Sequence, residues 1–183
     1  MSSIKLESNP SGSGIFTIAS PNSNTNRTLT IPDATGTIDR LNRAGNVLQV
    51  VNATYGTLTT STTASFADTG LTATITPSNT SSKILVLVNC CGLSKSANNT
   101  YMGLRLLRDS TTIFLFATQA GFTGGSVQSS WGGDGTNYLD SPATTSATTY
   151  KIQMNNAAAT GTVTINDGTS LNGSTITLME IAA

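Results

Sequence analysis

The stretch KILVLVNCC, Lys83 to Cys91, is nearly continuous in apolar residues. At nine residues it is short for a helix and suits a strand, so it predicts a central strand covered on both faces. The segments around it repeat the strand signal. LTATIT, Leu71 to Thr76, alternates with period two and stops at Pro77. YMGLRLL (Tyr101 to Leu107) and TIFLFA (Thr112 to Ala117) flank Arg108-Asp109-Ser110, the composition of a hairpin turn. Val47 to Val51 precedes them; Val127 to Trp131, Thr148 to Asn155, Gly161 to Asn166 and Ser174 to Ile181 follow. No helical period persists beyond a turn or two. Eight to ten short strands with turn signals between them predict an all-β fold, an antiparallel β-sandwich of the jelly-roll kind.

The composition agrees. Of 183 residues, 37% are hydrophobic, 10% charged and 5% aromatic, with zero formal net charge. An average globular chain is about 25% charged. Low net charge with this apolar content does not suit disorder. It also argues against nucleic acid as main partner, because phosphate binding needs clustered Lys and Arg. No run approaches the ~20 apolar residues of a membrane span. The N-terminus MSSIKLESNP lacks the charged-then-apolar layout of a secretory signal, so synthesis in a cytoplasm is expected.

The first 45 residues differ from the rest. Ile15 to Ile18 (IFTI) reads as a short strand, and PNSNTN from Pro21 to Asn26 as a connector. Thr28 to Ile31 alternates, Pro32 ends ladder donation and Gly36 permits a turn. Ile15, Phe16, Ile18, Leu29, Ile31 and Ile38 are too few to offset the entropy of ordering such a segment. Residues 1–45 therefore read as an arm, extended or hairpin-like, that needs other chains to cover it. Residues 46–183 read as the sandwich.

Chemistry is sparse. The chain has no histidine, which removes Ser-His-Asp triads, Cys-His pairs and the commonest zinc sites. Cys90 and Cys91 are adjacent, so on a strand they point to opposite faces, one buried thiol on each. Arg108 lies beside Asp109, an arrangement that suggests an ion pair at the surface or between subunits. Gly121 to Asn137 (GFTGGSVQSSWGGDGTN) reads as the largest irregular loop and holds the only Trp. Around its end, Asp134 and Asp140 flank Tyr138. They raise an acid pair or a calcium site as options, but loop Asp residues beside glycine are mostly turn formers. Trp131, Asp134 and Tyr138 suit a sugar platform, since an aromatic face stacks on a pyranose and a carboxylate accepts its hydroxyls. The plainer alternative is that the aromatics cover a sheet end.

Two parts of the chain resemble known proteins. GIFTIASPNSNTNRTLTIPDATGTI, Gly14 to Ile38, resembles a short module of structural proteins from tailed bacteriophages. ITPSNTSSKILVLVN (Ile75 to Asn89), LRLLRDSTTI (Leu104 to Ile113), LDSPATTSATTYKIQ (Leu139 to Gln153), GTVTIN (Gly161 to Asn166) and STITLMEIA (Ser174 to Ala182) resemble a virion protein family of marine phages often labelled tail fibre. The resemblance implies a homotrimer on the virion exterior, anchored to tail, neck or capsid by its N-terminal part, with an outward β-sandwich that contacts the host surface. It implies no enzymatic activity and no cofactor. The chain carries one anchor-like module and no repeat shaft, which leaves a capsid fibre or decoration protein as an alternative. A stand-alone lectin-like module is a further one.

Overall fold

A computed structural model describes residues 10–15, 17, 19, 22–26, 28, 43–125, 130–168 and 173–183. The chain divides into two units, Met1–Thr37 and Ile38–Ala183. In the first unit the described residues form no strand, and Ile15 is 93% exposed. Thr17 and Thr28 also fall outside any strand. Phe16, Ile18, Leu29, Ile31 and Ile38 lie outside the described residues.

The second unit is all-β, and its described residues contain no helix. The strands are β1 (Val47–Tyr55), β2 (Thr59–Ser61), β3 (Ala67–Ile75), β4 (Lys83–Lys95), β5 (Met102–Arg108), β6 (Thr111–Ala120), β7 (Ser130–Asp140), β8 (Thr148–Asn156), β9 (Val163–Ile165) and β10 (Ser174–Ile181). One sheet has six strands in the order β1-β10-β4-β9-β2, with β7 on the other edge of β4. The other runs β3-β8-β5-β6. All pairings are antiparallel. Setting aside the three-residue β2 and β9, the eight long strands are ordered first, eighth, third, sixth in one sheet and second, seventh, fourth, fifth in the other. That is the double Greek key of a jelly roll.

The core lies between the sheets. Ile84, Val86, Val88 and Cys90 from β4 and Ile176 and Leu178 from β10 meet Leu71 and Ile75, Leu104 and Leu106, and Tyr150, Ile152 and Met154. Period-two alternation is the cause: along β4 from Lys83 to Cys90 each inward residue is buried while its neighbours are not.

This corrects the reading of Lys83 to Cys91 as covered on both faces. Leu85 is half-buried and Leu87 is exposed. Cys90 alone is fully buried, and Cys91 lies half-buried on the outer face, where Asn89 Nδ2 donates to its Sγ at 3.2 Å. Apolar outward residues gave the run its continuity, and sequence does not tell an exposed Leu from a covered one.

A second correction concerns the glycine-rich segment. Ser130 to Asp140 is a strand, β7, paired with β4 from Ile84 to Ser94. A Cβ on Gly133 would lie 2.6 Å from the Cys90 carbonyl oxygen, and one on Gly135 equally close to that of Val88. The glycines thus let a bulged strand approach β4, where composition suggested a loop.

Candidate functional site

β6 and β7 are the edge strands on one side of the sandwich, one in each sheet. Their inward side chains meet across the open seam. Asp140, Tyr138, Thr136 and Asp134 oppose the buried Ile84, Val86, Val88 and Cys90, so all four point to the inner side of β7. Tyr138 stacks on Phe114 of β6, with ring centroids 5.2 Å apart and an interplanar angle of 26°. At the other end Trp131 packs across the seam onto Gly121, whose φ of 72° is a left-handed conformation. A Cβ there would sit 2.5 Å from the indole. Trp131 Nε1 is buried and finds no hydrogen-bond partner among the described residues. Trp131, Asp134 and Tyr138 are therefore brought to one side of one edge strand. Asp134 uses Oδ1 to accept from the Gly135 N–H at 2.8 Å.

Asp134 and Asp140 are not a carboxylate pair. Six residues on one strand put them about 20 Å apart, against roughly 5 to 9.5 Å between paired glycosidase carboxylates. The same distance rules out a shared calcium ion. Asp140 instead takes both its oxygens to Arg108 Nη1 at 2.9 Å and accepts the Tyr150 hydroxyl at 2.7 Å. This corrects the expected pairing of Arg108 with Asp109. Asp109, at φ 53°, accepts from the Thr149 N–H at 2.9 Å and closes the β5–β6 turn.

Three further polar groups were not legible in the sequence. Glu180 on β10 is fully buried. Oε1 accepts from the Ser78 N–H at 2.7 Å and its hydroxyl at 2.6 Å, and Oε2 accepts from Gln49 Nε2 at 2.6 Å. Burial works to raise its pKa, but the donors of Ser78, Gln49 and Ser82 prevail and hold it at about 2. It floors a cavity of about 420 Å³ lined by Leu48, Asn79 and Ser81 among others. Lys95 is also buried; its Nζ donates to the Thr100 carbonyl at 3.0 Å and to Thr123 Oγ1 at 2.6 Å, and burial pushes its ammonium pKa down. Asn166, at φ 60°, spans from the Thr57 carbonyl to Ser174. These groups satisfy themselves within the domain. Their partners lie from five to 131 residues away in sequence, so no local pattern announces them.

The outer faces of the two sheets differ in kind. On the four-stranded sheet, Asp68 accepts from Lys151 Nζ at 2.9 Å and Gln153 Nε2 at 2.6 Å. Gln153 Oε1 accepts from Arg105, whose guanidinium lies 4.2 Å from the Phe66 ring centroid. On the six-stranded sheet the register builds rows across four strands: Val50–Met179–Leu85–Leu139, then Asn52–Thr177–Leu87–Asn137, then Thr54–Thr175–Asn89–Gly135. A shorter row, Val47–Ile181–Lys83, lies at the end nearest the start of β4. Lys83 is the only charged residue in these rows.

No family model matches the chain, and no curated protein does. Among solved structures it is similar to the VP2 subviral particle of infectious bursal disease virus, at TM-score 0.39 and 16% identity over 74% of this chain and 37% of that one. It is similar to T=1 particles derived from the same virus at TM-score 0.43 and 15% identity, over 83% of this chain and 39% of that one. The chain spans about two fifths of the length of these proteins. Likeness at this level transfers neither function nor assembly, and the jelly roll rests on the strand pairing above.

Proposed function

We propose that this chain is a non-enzymatic structural protein of a virion, a homotrimer on the particle exterior. In this reading residues 1–45 are the arm that assembles the trimer and attaches it to a tail, neck or capsid protein. Residues 46–183 are the exposed head that meets the host surface. The observation that carries the reading is the jelly-roll order of the eight long strands, an architecture used by virion and lectin domains, joined to the phage-like arm motif Gly14 to Ile38. The exposure of Ile15 fits a segment that needs other chains to cover it. Among the described residues of the head, the buried carboxylates of Asp140 and Glu180 are taken up by internal hydrogen bonds, as befits a structural part. Fold alone does not fix function, so the test is direct. Native mass measurement of the full chain should give three times 18.8 kDa. An antibody to the head should label the outside of intact virions. A stable monomer with an ordered arm sinks the trimer, and the label's position separates a tail fibre from a capsid fibre or decoration protein.

A second reading is a glycan-binding module in which Trp131, Asp134 and Tyr138 contact an extended glycan along β7 rather than one sugar, since seven residues of strand put Trp131 and Tyr138 about 23 Å apart. A glycan array on the full chain tests it. Binding that disappears in Asp134→Ala supports the reading, and an empty array removes it without touching the structural role.

A further inference from the structure

We propose that the outer face of the six-stranded sheet is where copies of this chain pack together, about an axis parallel to β4 and β10. The inference rests on the trimeric reading above and says which surface the heads use.

The register carries it. Rows run across the strands, so rotation about an axis parallel to the strands keeps every row at its own height. The apolar row Val50–Met179–Leu85–Leu139 of one chain then meets the same row of the next. Val50 of one chain comes to Leu139 of its neighbour. One row further along, Asn52 comes to Asn137, and two primary amides can exchange hydrogen bonds. Val50 and Leu139 are 55% and 53% exposed, an arrangement costly to leave in water and useful at an interface.

Charge points to a sister chain as the occupant. Apart from Lys83 these rows are uncharged, so the apolar and amide rows of one copy meet those of the next with no like charges opposed. Lys83, exposed at one end of the rows with its Nζ on Ser141 Oγ at 3.0 Å, is the one charge that copies bring to the same height. The opposite outer face, with Asp68, Lys151 and Arg105, has the organised polar surface of a solvated sheet. Size sets the strength. The shared register Lys83 to Asn89 covers seven residues, about 20 Å, and four strands span about 19 Å. The projected area is roughly 400 Å², about half the ~800 Å² that each partner gives a standard interface. The heads alone are therefore weakly held, and contacts of the arm supply the remainder.

Two measurements on the full chain test this. Val50 and Leu139, like Asn52 and Asn137, are three strand spacings apart within a chain, about 14 Å, too far for an internal disulfide. In a Cys91→Ser background, Asn52→Cys with Asn137→Cys should therefore give chains covalently linked to one another on mild oxidation. Either substitution alone should give no ladder beyond background. Second, Leu85→Lys and Leu139→Lys should each raise the concentration at which the trimer dissociates at least tenfold. Leu115→Lys, an equally apolar residue on the opposite outer face at 48% exposure, should not. Circular dichroism confirms that the variants fold. A trimer that neither cross-links nor loosens overturns the face and leaves the trimer standing. A wild-type monomer overturns both.

Discussion

The Tyr150 hydroxyl donates to Asp140 Oδ2 at 2.7 Å, and Arg108 Nη1 closes on the same carboxylate at 2.9 Å. Tyr150 is fully buried and Asp140 nearly so, while Arg108 reaches partly into solvent. The group ties β5 and β8 of one sheet to β7 of the other. Asp140→Ala strands a buried hydroxyl and a guanidinium together and should cost about 3 kcal/mol. Tyr150→Phe removes one hydrogen bond and should cost about 1 to 2 kcal/mol. Urea denaturation of the two variants gives both values. Burial first, and then the bond to Asp140, pushes the Tyr150 phenol up. In an alkaline absorbance titration its ionisation should therefore coincide with unfolding.

Glu180 makes the fold acid-sensitive in a defined window. Its folded pKa is about 2 against an ordinary 4.5. A carboxyl depressed on folding contributes stability in full above the ordinary value and loses it as pH falls through the folded one. Stability should therefore decline between about pH 4.5 and 2, by about 3 kcal/mol from this group. Glu180→Gln should lower stability at neutral pH and flatten the decline. Thermal unfolding of both proteins at a series of pH values tests it, and parallel curves would rule the role out.

What the sequence made legible follows from periodicity. Leu71, Ala73 and Ile75 alternate with threonines, and each is buried while those threonines are exposed. Strand signals over β4, β5, β8 and β10 make the all-β sandwich legible as well, although β4 reads as a continuous apolar run whose alternation of buried and outward residues only the fold reveals. β7 escaped because its glycines, which signal loops, serve here to bring backbone against backbone beside Cys90 and Val88. Adjacency makes Asp109 the visible candidate partner of Arg108, whereas the carboxylate it pairs with, Asp140, is 32 positions away. Trp131, Asp134 and Tyr138 were picked out together, and their common side follows from a strand that composition concealed.

The two thiols should react at different rates. Burial, with Asp134 and Cys91 adding to it, pushes the Cys90 thiol up to about 12, and its side chain has no access to solvent. Cys91 is half-buried on the outer face. A thiol reagent near neutral pH should modify one equivalent, at Cys91, and reach Cys90 only on unfolding. Peptide mapping after a short pulse identifies the site. Rapid modification of Cys90 in the folded protein would contradict its place in the core. If the outer face packs against sister chains, dilution should also speed the labelling of Cys91.

Gly121 and Trp131 close one end of the β6–β7 seam, and their contact can be read optically because the chain has a single Trp. At φ 72° an L side chain is strained, and a Cβ would lie 2.5 Å from the indole ring. The indole is itself packed against the buried core, which limits any shift inward. Gly121→Ala should therefore displace Trp131 toward water, with a red-shifted emission and faster quenching by iodide. The strain and the lost contact together should cost about 2 to 3 kcal/mol. Trp131→Phe keeps a ring over the glycine and should cost less than Trp131→Ala. If the seam contributes to host contact, Gly121→Ala should weaken that contact while the trimer mass stays unchanged. An unshifted emission maximum in Gly121→Ala would mean that the indole does not rest on the glycine.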